Sequence, residues 1–513
     1  MNEPNRGMAG HPDLTVIPKD QPLKKGSSPT AWQCFLTGSG RACEVETWEI
    51  GGLGPYKVGT KLIDPQGELA WLPADYDDSR YGYKRDPGWK LGECIWAQHE
   101  VWDPATDTLL KKNYFAKNPR TGDTIDYPNF TNTYFMDFYR RFRDAIRAQH
   151  KDCLMLMQYP TLELPPQIAG TEDDDPKMAF TPHFYDGITL MTKKWNRTWN
   201  VDVVGVLRGK YYHPVFAIKV GETAIRNCFR DQLATLRQEG RDRVGKHPCL
   251  LTEFGIPYDM DDKRAYETGD YSSQSAALDA NHYGVEGSLM EGSFLWLYMA
   301  RNTHKRGDQW NGEDLSILSL DDKPLPMPAA TRLEPRASTS TKGAGDDASV
   351  TPDNLRKVLT APSISSEPGQ NVEASGTPGY RAAEAFVRPT PVFVAGTITE
   401  YGFDLKSCTF TLKLDAKGVR NEAPTVVYLP EFHYPADDAE VEVSSGKWEI
   451  KADDGEGPAV QRLIWWHGEG AQSLRVRGLV RKRDVEGEGE DGYVDQCRET
   501  YSMSTVANNC SVM

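Results

Sequence analysis

Long apolar runs are missing from this sequence, and without one there is no transmembrane helix. Positive charge is in short supply. Lys and Arg total 59 against 74 Asp and Glu, a net charge of −15, so the chain repels nucleic acid and anionic surfaces and nucleic-acid binding is set aside. Cysteine is sparse and unpatterned. The nine residues, Cys34, Cys43, Cys94, Cys153, Cys228, Cys249, Cys408, Cys497 and Cys510, contain no CxxC pair. That argues against a zinc site or a disulfide framework and favours a reducing, cytoplasmic setting. There is no internal repeat, and the opening residues do not read as a secretory leader.

What is present is enough apolar residue for sizeable cores, 39% of 513. At roughly 100–200 residues per domain the length predicts two to four domains. Residues 1–18 read as a loop bearing a motif. Residues 19–118, rich in Gly, Pro, Trp and Tyr, show no clear helical period and read as a long excursion with short strands. Phe135, Phe138, Phe142 and Ile146 stripe one helix face, and Ile225, Phe229, Leu233 and Leu236 stripe another helix that ends at Gly240. A third helix spans 275–283. Short apolar runs at Cys153–Tyr159, Ala179–Tyr185, Cys249–Phe254 and Ser293–Tyr298 read as strands, the first of them a buried parallel one. Strands alternating with helices imply a parallel sheet with crossovers over residues 1–330. Residues 331–379, almost without aromatics, read as a disordered linker. Alternation at Phe410, Leu412 and Leu414 and at Leu474 and Val476 predicts an antiparallel β-sandwich over 380–482, followed by a flexible tail, 483–513.

Four signals fall at or beside proposed strand ends: Asn2-Glu3-Pro4, His183-Phe184-Tyr185, Thr252-Glu253-Phe254-Gly255, and Trp296. Barrel enzymes place their sites there. Hydrolysis of a glycoside needs two carboxyls flanking one bond, one protonated and one ionised, and Glu3 and Glu253 supply the pair. Tyr185 could hold the nucleophile by a hydrogen bond. Trp296 could offer a flat platform to a sugar ring, and Asn2 could bind the 2-hydroxyl. Taken singly, each signal is more often structural: a turn carboxylate, a strand meeting solvent, a satisfied histidine, a core tryptophan. Their order and placement favour the functional reading.

That order resembles glycoside hydrolase family 5, and within it a fungal endoglycoceramidase-related branch that cleaves glucosylceramide or steryl β-glucosides. The stretches GWKLGECIWAQHEVWD (88–103), LLTEFGIPYDM (250–260), GDQWNGEDLSI (307–317) and AFVRPTPVFVAGT (385–397) carry the likeness. The resemblance implies a (β/α)8 TIM barrel and a C-terminal β-sandwich. It implies a retaining double displacement with Glu253 as nucleophile and Glu3 as acid/base. Asn2, His183, Tyr185, Trp296 and Trp310 would bind substrate, and no cofactor or metal is called for. In the family Asn-Glu-Pro ends the fourth barrel strand, whereas here it occupies residues 2–4. The expectation is therefore a barrel reduced to about its second half, with Met1 an internal methionine and the truncated chain inactive. The alternatives are a non-catalytic carbohydrate- or lipid-binding relic and a family 5 polysaccharide glycanase. The aglycone groove is sought in the 19–118 excursion and in the loop Asn302 to Asp314. The final Cys510-Ser511-Val512-Met513 fits a farnesylation signal, which would place the protein peripherally on a membrane, although Ser511 is not aliphatic.

Overall fold

The computed structural model describes residues 2–18, 24–51, 54–77, 79–82, 84–310, 312–322, 330–331, 379–418, 423–436, 438–453 and 460–481. Almost all of the proposed linker, the proposed tail and Cys510 lie outside these residues. The chain forms two compact units, Met1–Phe180 with Asp242–His247, and Thr181–Arg241 with Pro248–Met513.

In the first unit the aromatic excursion is more regular than the sequence suggested. Strand β1 (Gly26–Ser28) is followed by helix α1 (Ala31–Gly38) and by strands β2 (Cys43–Gly51) and β3 (Gly54–Ile63). The helix begins because Thr30 and Gln33 form a reciprocal capping box, satisfying two backbone donors that would otherwise be orphaned. The strands make an antiparallel sheet in the order β1-β2-β3. Around α1, Leu14, Phe35, Cys94, Val101 and Trp102 form a buried cluster, extended by Trp32, Trp96 and Phe115. The rings meet edge to face, Trp32 with Trp102 at 5.4 Å and Trp96 with Phe115 at 4.7 Å. Most of the aromatics here are therefore a core.

Helix α2 (Met136–Gln149) forms where the spacing predicts it, but with a different face inward. Phe138 and Phe142 are 37% and 42% exposed and stack on each other at 5.9 Å. The buried face carries Met136 and Tyr139, and beside it Arg140 and Arg143 bond the buried Asp173, at 2.8 and 3.1 Å. Of the predicted stripe, Phe135 is buried. Strands β4 (Met155–Met157) and β5 (Met178–Phe180) pair in parallel, Met155 opposite Met178. Met155 and Met157 are buried, yet Leu154 and Leu156 are 54% and 48% exposed, so the run is buried on alternate residues only.

In the second unit the segment after β5 lies parallel to strand β6 (Leu250–Phe254): His183 bridges Glu253, and Phe184 N–H donates to the Glu253 carbonyl at 3.1 Å. On its other side β6 pairs in parallel with β7 (Gly292–Leu295). Helix α3 (Glu222–Arg243) runs past Gly240 rather than ending there, with Ile225, Phe229, Leu233 and Leu236 all buried. Helix α4 (Ser272–Gly287) buries Ala276, Ala277 and Ala280. A Cβ on its Gly284 would come within 3.0 Å of Phe229 Cβ, so glycine lets the helices approach.

The C-terminal strands are β8 (Thr390–Phe393), β9 (Thr397–Asp404), β10 (Thr409–Asp415), β11 (Thr425–Tyr428), β12 (Glu440–Val443), β13 (Lys447–Asp453), β14 (Val460–Trp466) and β15 (Ala471–Arg477). They make two four-stranded antiparallel sheets, ordered β8-β11-β14-β13 and β9-β10-β15-β12. Phe410, Leu412, Leu414, Leu474 and Val476 are buried, as period-two alternation requires. These sheets are tied to α4 by Arg388, whose Nε donates to Glu286 at 2.6 Å and whose Nη1 donates to Asp279 at 2.6 Å. Arg226 of α3 bonds the other oxygen of Asp279 at 2.8 Å.

Candidate active site

Parallel pairing puts the carboxyl ends of neighbouring strands side by side, and in the second unit it brings His183 next to Glu253. His183 Nδ1 lies 3.1 Å from Glu253 Oε2. Tyr185 donates its hydroxyl to the same oxygen at 3.2 Å. With Glu253 ionised and so only an acceptor, a hydrogen bond between the two puts the proton on Nδ1. The His183 side chain is 2% exposed and that of Glu253 12%. The carboxylate is thus held within reach of solvent, with both of these contacts on one oxygen.

Trp296 follows β7, and its backbone N–H donates to the Phe254 carbonyl at 2.8 Å. A Cβ on Gly255 would sit 2.2 Å from the Trp296 carbonyl oxygen, so the residue two after Glu253 is glycine because the chains touch there. The peptide between Trp296 and Leu297 is cis. Leu297 N–H reaches the Leu315 carbonyl at 3.1 Å, which docks the 308–315 loop on this segment. Within the loop Asp308 accepts from the backbone of Trp310 at 2.8 Å and of Leu315 at 3.0 Å, leaving Trp310 58% exposed. Burial raises the Asp308 carboxyl above its ordinary pKa despite those two bonds.

Under this loop lies a group the sequence did not reveal. Arg381 is fully buried and grips Asp314 with both Nη atoms, at 2.8 and 2.6 Å, while its Nε reaches the Ser316 carbonyl at 3.1 Å. Its guanidinium lies 4.4 Å from the Tyr258 ring. Burial works against ionisation of Asp314, but Arg381, with Tyr266 and Asn302, outweighs it and holds the carboxyl below its ordinary pKa. No motif marked Arg381, because it lies 67 residues from its partner.

Asn2 and Glu3 belong to the first unit, and both are exposed. Glu3 has φ +44°, the left-handed region, and its N–H donates to the side-chain Oε1 of Gln158, the residue that follows β4. Gln158 was also missed by sequence reasoning. Its one available signal is a polar residue closing the apolar run CLMLMQY.

The chain is 53% identical over its whole length to a glucosylceramidase of Aspergillus fumigatus, of which it spans 68%. The Glycoside hydrolase family 5 C-terminal domain matches residues 388–476. The chain belongs to glycoside hydrolase family 5. Within that family it is 36% identical to an ergosteryl-beta-glucosidase of Saccharomyces cerevisiae, covering 94% of this chain and 63% of that one. A crystal structure of Cryptococcus neoformans sterylglucosidase 1 superposes with a TM-score of 0.74 at 33% identity, again over 94% of this chain and 63% of that one. The chain therefore spans about two thirds of the length of the relatives it matches. The likeness extends through both units.

Proposed function

We propose that this family 5 chain carries the apparatus of a retaining β-glucosidase acting on a glycolipid, either glucosylceramide or a steryl β-glucoside. The observation that carries the reading is Glu253, fixed at a strand end by His183 and Tyr185 through one oxygen. In this reading the Glu253 carboxylate attacks the anomeric carbon and forms a C–O bond while the glycosidic C–O bond breaks. Glu3 gives its proton to the departing oxygen. Water then loses a proton to Glu3 and attacks the same carbon, which releases the sugar with its configuration kept and restores Glu253. Asn2 contacts the 2-hydroxyl, and Trp296 and Trp310 stack on sugar or aglycone. Strands β4 to β7 with their helices are read as the second half of a (β/α)8 barrel.

Glu253→Gln should abolish turnover of both glucosylceramide and steryl glucoside, and whichever lipid the unsubstituted protein hydrolyses names the aglycone. Proton NMR of the first product should show the β-anomer; an α-anomer would sink the retaining mechanism. Cytoplasmic residence and farnesylation of Cys510 are separate proposals from sequence. Intact mass of the protein from its own host checks the second.

A further inference from the structure

Glu3 is a non-glycine residue in the left-handed region, a backbone that is unfavourable unless its surroundings hold it. Here the holding contact is visible. The Glu3 N–H donates into the side-chain oxygen of Gln158, and Pro4, the next residue, is buried. Because a backbone N–H can only donate, the Gln158 amide must present its oxygen to Glu3, which fixes the amide's orientation. Gln158 is only 9% exposed, and its Nε2 has no hydrogen-bond partner among the described residues. A buried donor left unpaired is destabilising, so packing alone would favour a leucine here. The amide earns its place through its oxygen alone. Gln158 directly follows a strand whose Met155 and Met157 are buried, so its own backbone is anchored.

We propose that Gln158 is the positioning residue for Glu3: it holds the Glu3 backbone in the left-handed conformation and so aims the carboxyl that protonates the leaving group. This rests on the reading of Glu3 as acid/base. Without the Gln158 oxygen, Glu3 relaxes to negative φ and its side chain swings away, while the nucleophile, held by His183 and Tyr185, is untouched.

The consequence is a dependence on the leaving group, which general damage to the fold would not produce. Gln158→Leu should lower kcat/KM on an alkyl or steryl β-glucoside by about a hundredfold, the usual range for loss of general acid catalysis. On 2,4-dinitrophenyl β-glucoside, whose phenolate leaves unaided, the loss should stay within about threefold. Gln158→Glu keeps an acceptor for the Glu3 N–H but adds a like charge beside it, so activity should persist with the alkaline limb of the pH profile moved upward. Glu253→Gln, run alongside, should be dead on both substrates. Turnover by that variant would overturn the proposed mechanism, whereas equal losses of Gln158→Leu on both substrates would overturn the role of Gln158 alone. A crystal structure of Gln158→Leu reads the same point without activity: Glu3 should leave positive φ, and its staying there refutes the proposal.

Discussion

At the scale of single residues, the nucleophile candidate depends on two donors to one oxygen, and removing one is a small, readable change. Tyr185→Phe deletes the 3.2 Å bond and leaves the ring. Hydrogen bonds to charged groups contribute about 1.5–3 kcal/mol, so kcat/KM should fall by roughly ten- to a hundredfold. The loss should be equal on activated and unactivated glucosides, because the nucleophile serves both; a loss confined to poor leaving groups would argue that Tyr185 acts on the proton instead. His183, Tyr185 and Glu253 were legible in the sequence because each sits in a short motif beside an apolar run. Gln158 and Arg381 were not. Gln158 works through one contact and Arg381 through several, all across a long stretch of chain, and a lone polar residue carries no period or spacing to betray it.

Between elements, the strongest tie is the cluster of Asp279 on α4, Arg226 on α3 and Arg388 just before β8. Burial opposes charge on Asp279, yet the two guanidinium groups outweigh it and hold the carboxyl down to about 2. A depressed carboxyl contributes stability that is complete above its unfolded pKa, near 3.8, and is lost as pH falls from there towards 2. The contribution is on the order of 2 kcal/mol. Urea midpoints measured between about pH 5 and pH 2 should drop more steeply in the native sequence than in Asp279→Asn, which should also be weaker at neutral pH. Parallel slopes would mean that another carboxyl governs acid unfolding. The helices were legible to differing depths. The α3 stripe of Ile225, Phe229, Leu233 and Leu236 is long, wholly apolar and buried as read. The α2 stripe had the same spacing, but of its residues Phe135 is buried while Phe138 and Phe142 face out, and Arg140 and Arg143 on the other side meet Asp173. Periodicity finds a helix; it does not say which of two plausible faces is covered. In the excursion, the Thr30–Gln33 capping box was a readable start signal for α1 that the search for apolar periodicity passed over.

For the molecule as a whole, apolar surface that faces solvent matters more than any single bond. In the first unit Phe138 with Phe142, and Leu154 with Leu156, form two exposed apolar pairs, the second on a short strand. Such surfaces recruit other chains. This 513-residue chain should self-associate reversibly as its concentration rises through the micromolar range, which light scattering reads, while remaining dispersed at the dilution of a kinetic assay. Phe138→Glu with Phe142→Lys should raise its soluble fraction without changing helix content. A monodisperse, cooperatively melting preparation of the unsubstituted chain would show that these pairs are harmless. The alternation of the C-terminal strands was legible, since Phe410, Leu412 and Leu414 are buried while the charged Lys413 and Asp415 beside them are exposed. What alternation could not show is how the sheets are joined to the rest. The family match begins at residue 388, and Arg388 is the side chain that plugs into Asp279 and Glu286. Recombination at that boundary would therefore be an exchange between lock and key: a donor segment lacking the arginine would strand two buried carboxylates in the recipient. Lineages that shuffle this C-terminal part must inherit the arginine and its two acids together, and chimeras built in the laboratory face the same rule.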